Sequence, residues 1–215
     1  MKIEIGTDRP GHFVAEWPRQ FDIFSHFEFV CGIPQTLFAV TTYKKNRMPN
    51  VCPQSWSSFV SGKDGYYAVL GGLMERTHTY RNIERERCFC VNFLSPEYYG
   101  AMMRSIESNG ESADEFAVCG FSPLPCRTID APSIAESFLS LECELSDIAT
   151  PASGAVSLVI GKVLRVTAEE NYADGIDAKY GEAGFSFNIH SPMNVKTGVC
   201  DDVGVATLKP PRRVK

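Results

Sequence analysis

Between residues 37 and 72 the chain alternates short runs of β-branched and aromatic residues with tight clusters of turn formers. "LFAVTTY" (37–43) predicts a buried strand. "KKNRMPN" (44–50) has the charges and breakers of a hairpin connection. "SWSSFVS" (55–61) and "YYAVLGG" (66–72) predict two more strands about the turn "GKDG" (62–65). Strands that follow one another through such short connections favour an antiparallel sheet, and closing that sheet into a barrel is the most economical way to protect it.

The rest of the chain fits this frame. "TYRNIERER" (79–87) predicts a short charged helix, and "CFCVNF" (88–93) returns as a strand. "SPEYYGAMMRSIES" (95–108) predicts a helix with Ser95 as N-cap and Pro96 in its first turn. "LECELSDI" (141–148) has the alternation of a half-exposed strand. "AVSLVIGKVLRVTA" (155–168) predicts a long strand or a bent pair of strands, with Gly161 at a bulge or a close approach. The expected architecture is mainly β with flanking helices, a single domain over residues 1–215.

Composition excludes several classes. A chain of 215 residues, 44% apolar and 22% charged, can bury one substantial core. The net charge of −5 opposes general nucleic-acid binding, and the one basic cluster, the tail "KPPRRVK", reads as a solvated terminus. No secretory signal and no membrane-spanning run is visible, so a cytoplasmic location and no membrane partner are expected. The eight cysteines are scattered without a C-x-x-C pair and read as reduced, buried small side chains. The four histidines, His12, His26, His78 and His190, show no metal-ligand spacing. Neither a Rossmann fingerprint nor a P-loop nor a G-x-S-x-G elbow occurs.

Two stretches carry the polar chemistry. "NVCPQSWSSF" (50–59) gathers an amide, hydroxyls and an indole. In an extended chain Ser55 and Ser57 share one face, and Trp56 and Ser58 the other. Such a rim can meet a flat heteroaromatic ring, or can be a polar strand with an anchoring indole. "RTHTYRNI" (76–83) places Thr77 and Thr79 at a helix start with Arg76 and Arg81 nearby, which suits an anion or simple capping. Cys52 reads as either a redox thiol or a neutral buried one.

Together with "ADEFAVCGFSPLPCRTIDAPSIAESFLSLECELSDI" and "GAVSLVIGKVLRV", these segments resemble the flavin reductase-like, FMN-binding split-barrel family of the flavoredoxin type, over residues 33–166. The resemblance implies a six-stranded Greek-key barrel, a homodimer, and FMN held noncovalently. It implies cofactor contacts from Asn50, Ser55, Trp56, Ser57, Ser58, Thr77, Thr79, Arg81 and Asn82, with Phe185 or Phe187 approaching the ring. No side chain is expected to act as catalytic acid or base, because the flavin carries the chemistry. The implied activity is NAD(P)H-dependent flavin reduction, or electron transfer from a protein donor; an FMN sensor or store without turnover is the alternative. Relatives often carry a Lys where this chain has Ala113 and Glu115, and a His where it has Val156 and Ser157. Those changes bear on affinity and redox potential more than on fold.

Overall fold

The computed structural model describes residues 2–150, 157–173, 179–181 and 183–209. Ala155 and Val156 of the last expected strand, and residues 210–215 of the basic tail, lie outside the described residues. The chain gathers into two units, Met1–Gln35 with Phe187–Ala206, and Thr36–Ser186 with Thr207–Lys215.

The larger unit is built on one seven-stranded sheet. In chain order its strands are β1 (Phe38–Tyr43), β2 (Pro49–Gln54), β3 (Ser57–Gly62), β4 (Gly65–Leu73), β5 (Cys88–Phe93), β6 (Leu139–Ala149) and β7 (Ser157–Ala168). In space they run β2-β1-β5-β6-β7-β4-β3, with every neighbouring pair antiparallel. The two edge strands, β2 and β3, are consecutive in the chain with only Ser55 and Trp56 between them. The sheet therefore curls until its edges nearly meet. Gln54 Nε2 donates to Gly71 O at 3.1 Å, and Gly71 N donates to Trp56 O at 2.6 Å. Among the described residues no ladder joins β2 to β3, so the barrel is split.

The mainly β architecture expected from the sequence is present, with β2 as a strand that the hairpin reading passed over. Pro49 and Pro53 lie within it. Proline lacks the N–H that an inner strand must donate, but an edge strand tolerates it. The "GKDG" turn is where the sequence put it: Gly62 pairs with Gly65 across a two-residue loop.

The core lies inside the curl. β5, between β1 and β6, is buried along its whole length. Phe38, Phe59 and Phe93 meet with ring centroids 5.4–5.6 Å apart, and Phe138 stacks on Tyr172 at 4.1 Å. Gly161 in β7 is both a register shift and a close approach. A Cβ there would lie 2.4 Å from the Phe89 ring and 3.0 Å from Cys143 Cβ.

Helices α1 (His78–Glu86), α2 (Tyr99–Glu107) and α3 (Glu115–Cys119) flank the sheet, with a short helix Glu170–Ala173 after β7. α1 turns Tyr80 and Ile83 into the core and leaves Arg81, Glu84 and Arg85 outside. Ser95 precedes a 3₁₀ turn, Pro96–Tyr98, that leads into α2; its hydroxyl donates to Glu97 and caps nothing. The strand over 141–148 is less exposed than its alternation suggests, because Glu142 is buried. Burial opposes its ionisation, yet bonds from Thr128 and the backbone of Arg127 hold its carboxyl below the usual range.

The smaller unit packs Phe13, Phe29, Met193 and Cys200 between the helices Gln20–Ile23 and His26–Cys31 and the hairpin Met193–Asn194/Val199–Cys200. All eight cysteines of the chain are free thiols.

Two glycines test the packing. Gly161→Ala overfills the barrel and should destabilise the protein by roughly 1–3 kcal/mol. Gly100, on α2, has open space where its Cβ would be, so Gly100→Ala should stabilise by about 0.5–1 kcal/mol. Urea unfolding of both variants checks the opposite signs.

Candidate functional site

A cleft of about 520 Å³ opens where β2, the first turn of α1, the end of α2 and the start of α3 converge. β2 contributes Asn50, Val51, Cys52 and Pro53. The approach to α1 contributes Met74, Arg76, Thr77, His78 and Thr79, and the far wall is Ser105, Ile106, Asn109 and Glu115.

The α1 end of the cleft suits an anion. Thr77 is the N-cap: its oxygen accepts from Tyr80 N at 3.3 Å while its hydroxyl donates to Met74 O at 2.8 Å. The preceding N–H groups of a helix have no intrahelical acceptor and carry the positive end of its dipole. Arg76 and His78 add cationic or donor groups beside them. His78 Nε2 lies 3.2 Å from a carboxylate oxygen of Glu111.

The floor is a buried polar ladder. Asn50 is 2% exposed and donates to Thr79 Oγ1 at 3.0 Å. One layer deeper, Thr42 stands opposite Asn50 in the β1–β2 register and accepts from Asn82 at 2.9 Å. The carbonyl oxygen of Asn82 accepts from Arg85 at 3.0 Å. Beside this ladder Glu115 Oε2 accepts from Val51 N at 2.7 Å, which occupies an outward N–H of the edge strand. Its other oxygen lies 2.8 Å from Lys44 Nζ, with side-chain exposures of 1% and 0%. Lys44 also donates to Gly110 O at 2.8 Å and Ala113 O at 2.9 Å, fastening the segment that leads into α3.

Burial pushes the Glu115 carboxyl above its ordinary range, against the lowering pull of Lys44 and Val51 N. Burial likewise pushes the Cys52 thiol up, more than its hydrogen bond to Thr79 lowers it. Both effects together leave the half-buried Cys52 less ready to ionise than an ordinary thiol where it lines the cleft.

The sequence-derived residues divide. Asn50, Thr77 and Thr79 line the cleft together. Asn82 lies behind it, supporting Thr42. Arg81 is exposed and does not line the cleft, its Nε donating to Glu75 O, whereas Arg76 stands at the rim. Ser55 and Trp56 form the corner between β2 and β3 and precede the strand expected to contain them. The indole lies against Gly72, whose φ is +74° and whose added Cβ would be 3.0 Å from the ring. Ser57 and Ser58 open β3; Ser57 Oγ donates to Ser55 O, and Ser58 is exposed. Neither they nor Ser55 and Trp56 line the cleft. Phe185 packs in the core against Phe93 and Phe138, and Phe187 belongs to the smaller unit.

Sequence reasoning missed Lys44, His78 and the inward role of Glu115. Lys44 sits in "YKKNR", which has the composition of a solvated turn; only continuation of the β1 alternation past Tyr43 would have turned it inward.

The family model described as "Flavin reductase like domain" matches residues 30–183. Flavoredoxin of Desulfovibrio vulgaris (Miyazaki F) is 26% identical, with 64% of this chain and 71% of that one covered and a TM-score of 0.57. A Shewanella frigidimarina protein with a split barrel domain is 16% identical over 94% of this chain and 98% of its own, at a TM-score of 0.71. An FMN-binding protein from Thermus thermophilus is 16% identical with the same coverage, at 0.66.

The Lys44–Glu115 pair makes a test of the site's frame. Lys44→Met leaves a buried carboxylate without a counter-ion and should cost about 3–5 kcal/mol. Lys44→Met combined with Glu115→Met should recover most of that loss. A double-mutant cycle by chemical denaturation measures the coupling.

Proposed function

The chain belongs to the flavin reductase-like domain family, and from that premise we propose that its cleft holds FMN noncovalently in a flavin-dependent oxidoreductase. The observation that carries this reading is the cleft's division into two chemistries. One end offers the first turn of α1 with Arg76 and His78, which suits a phosphate. The other offers the buried Asn50 amide, Cys52 and the Pro53 ring along an edge strand, which suit a polar heteroaromatic ring.

The residues present fit such a group. Asn50 orients Thr79, and Thr77 holds the helix start in shape. Glu115 Oε1 is a buried oxygen at the cleft whose partner among the described residues is Lys44 Nζ, at 2.8 Å. When bound, the flavin supplies the hydride and electron chemistry, and the protein supplies binding, orientation and electrostatics. No side chain of the cleft is needed as acid or base for that role. The donor is NAD(P)H or an electron-transfer protein. The working form is a homodimer, which accords with the exposed apolar Val60 on β3 and Leu158 and Leu164 on β7, and the site of action is the cytoplasm. No helix of the described residues is long and apolar enough to cross a membrane.

The test is the visible spectrum of purified protein, with FMN or FAD added if it is colourless. Flavin bands are expected, with FMN bound more tightly than FAD, and NADH or NADPH should bleach them under anaerobic conditions. Bands that only dithionite bleaches would assign a carrier fed by a protein donor, or an FMN sensor or store. Protein that binds neither flavin would overturn the reading. Asn50→Ala and Thr79→Ala should each weaken FMN binding about tenfold, as loss of one buried hydrogen bond of about 1.4 kcal/mol requires.

A further inference from the structure

Arg76, His78 and the start of α1 make the cleft attractive to anions, yet a carboxylate stands in the same lining. Glu115 is 1% exposed and Lys44 0%. An ion pair so deeply buried beside a ligand cleft is costly unless both charges are fully engaged. Here Glu115 Oε1 has Lys44 Nζ, at 2.8 Å, and among the described residues no other donor. Lys44, by contrast, has two further acceptors, the carbonyls of Gly110 and Ala113, and both are neutral. The ammonium can therefore keep its place if the carboxylate loses its charge.

Building on the cleft as the site of a phosphate-bearing ligand, we infer that Glu115 takes up one proton from solvent as the anion enters, which releases Lys44 to act as the buried positive charge beneath it. The step is a proton transfer alone: the carboxylate becomes a carboxylic acid, and no electrons move. The neutral acid keeps its bond from Val51 N and gains a donor for the cleft.

The groups around Glu115 leave it as the site of that proton. Lys44 faces it from the end of β1 and His78 from α1. The thiols of Cys52 on β2 and Cys119 on α3 are pushed up by burial, Cys119 to about 11, and stay uncharged. Arg104 of α2 is spent on the carbonyls of Val118 and Cys119. His78 already faces the carboxylate of Glu111. Burial raises the Glu115 carboxyl before any ligand arrives, and a second negative charge raises it further.

The sign follows from linkage. Binding that raises a group's pKa takes up a proton, so affinity is greatest at low pH. It falls between the free and the bound values, and is level above and below that window.

The experiment is FMN affinity from pH 5.5 to 9 for the wild type, Glu115→Gln and His78→Gln, with riboflavin as the phosphate-free probe. Calorimetry in two buffers of different ionisation enthalpy counts the protons. Wild-type Kd for FMN should rise by up to about tenfold per pH unit inside the window, with proton uptake, while riboflavin shows no such slope. Glu115→Gln leaves Lys44 uncompensated; it should bind FMN about tenfold or more tightly than wild type at the alkaline end, and without that slope. The phosphate's own ionisation near pH 6 is common to both proteins and cancels in their ratio. Parallel curves for wild type and Glu115→Gln, or a slope lost only in His78→Gln, overturn the inference while leaving the flavin site standing. Wild type that binds neither probe at any pH overturns the site itself. Should Glu115→Gln fail to fold, wild-type calorimetry decides: no proton taken up with FMN in excess of that with riboflavin overturns the coupling.

Discussion

The curl of the sheet depends on one covalent constraint: its two edge strands are joined by a two-residue corner, Ser55–Trp56. Edges that close in sequence cannot be far apart in space. Closing them places the Trp56 carbonyl on Gly71 N and the Gln54 amide on Gly71 O. The indole then lies where any side chain larger than glycine at 72 would be, and φ at that position is +74°. The polar density of this stretch has a mechanical explanation: amide and hydroxyl groups satisfy backbone atoms at a corner where the β ladder stops.

The cleft is a consequence of the same closure. β2, as an edge, has one side unpaired, and α1, α2 and α3 approach that side instead of another strand. The exposed edge N–H of Val51 is taken by Glu115, which removes a template for unwanted strand pairing. Glu115 in turn needs Lys44, and Lys44 holds the backbone of Gly110 and Ala113. The edge strand, the wall of the cleft and the entry to α3 are thus one electrostatic unit. A buried ion pair of this kind is costly to break by removing one partner, and here it stands at the cleft wall to which Glu115 belongs.

Much of the sheet was legible residue by residue. The β-branched and aromatic run at 37–43, the Gly62 to Gly65 turn and the apolar run at 88–93 each stand where the local pattern put them. Gly161 was legible as an anomaly, and its cause is the Phe89 ring. β2 was not, because its prolines argue against a strand unless one knows that it is an edge. Asn50, Thr77 and Thr79, which the resemblance implied, line the cleft together, with Asn50 on β2 and Thr77 as the N-cap of α1. Arg81 and Asn82 do not line the cleft; on a helix each residue turns the side chain by about 100°. Arg81 faces outward, and Asn82 faces the layer behind.

What the sequence by itself determined is everything set by neighbours in the chain: strands, hairpin turns, helix caps and the order in which they follow. It also carried the pattern that marks the flavin reductase-like family. Only the tertiary structure decided which polar groups meet. Lys44 and Glu115 are 71 residues apart by their numbering, and come within 2.8 Å because β1 and α3 flank the same edge strand. A lysine in a turn sequence has no local reason to be buried. Its reason is a carboxylate brought to it by the fold, in a place where water cannot compensate either charge.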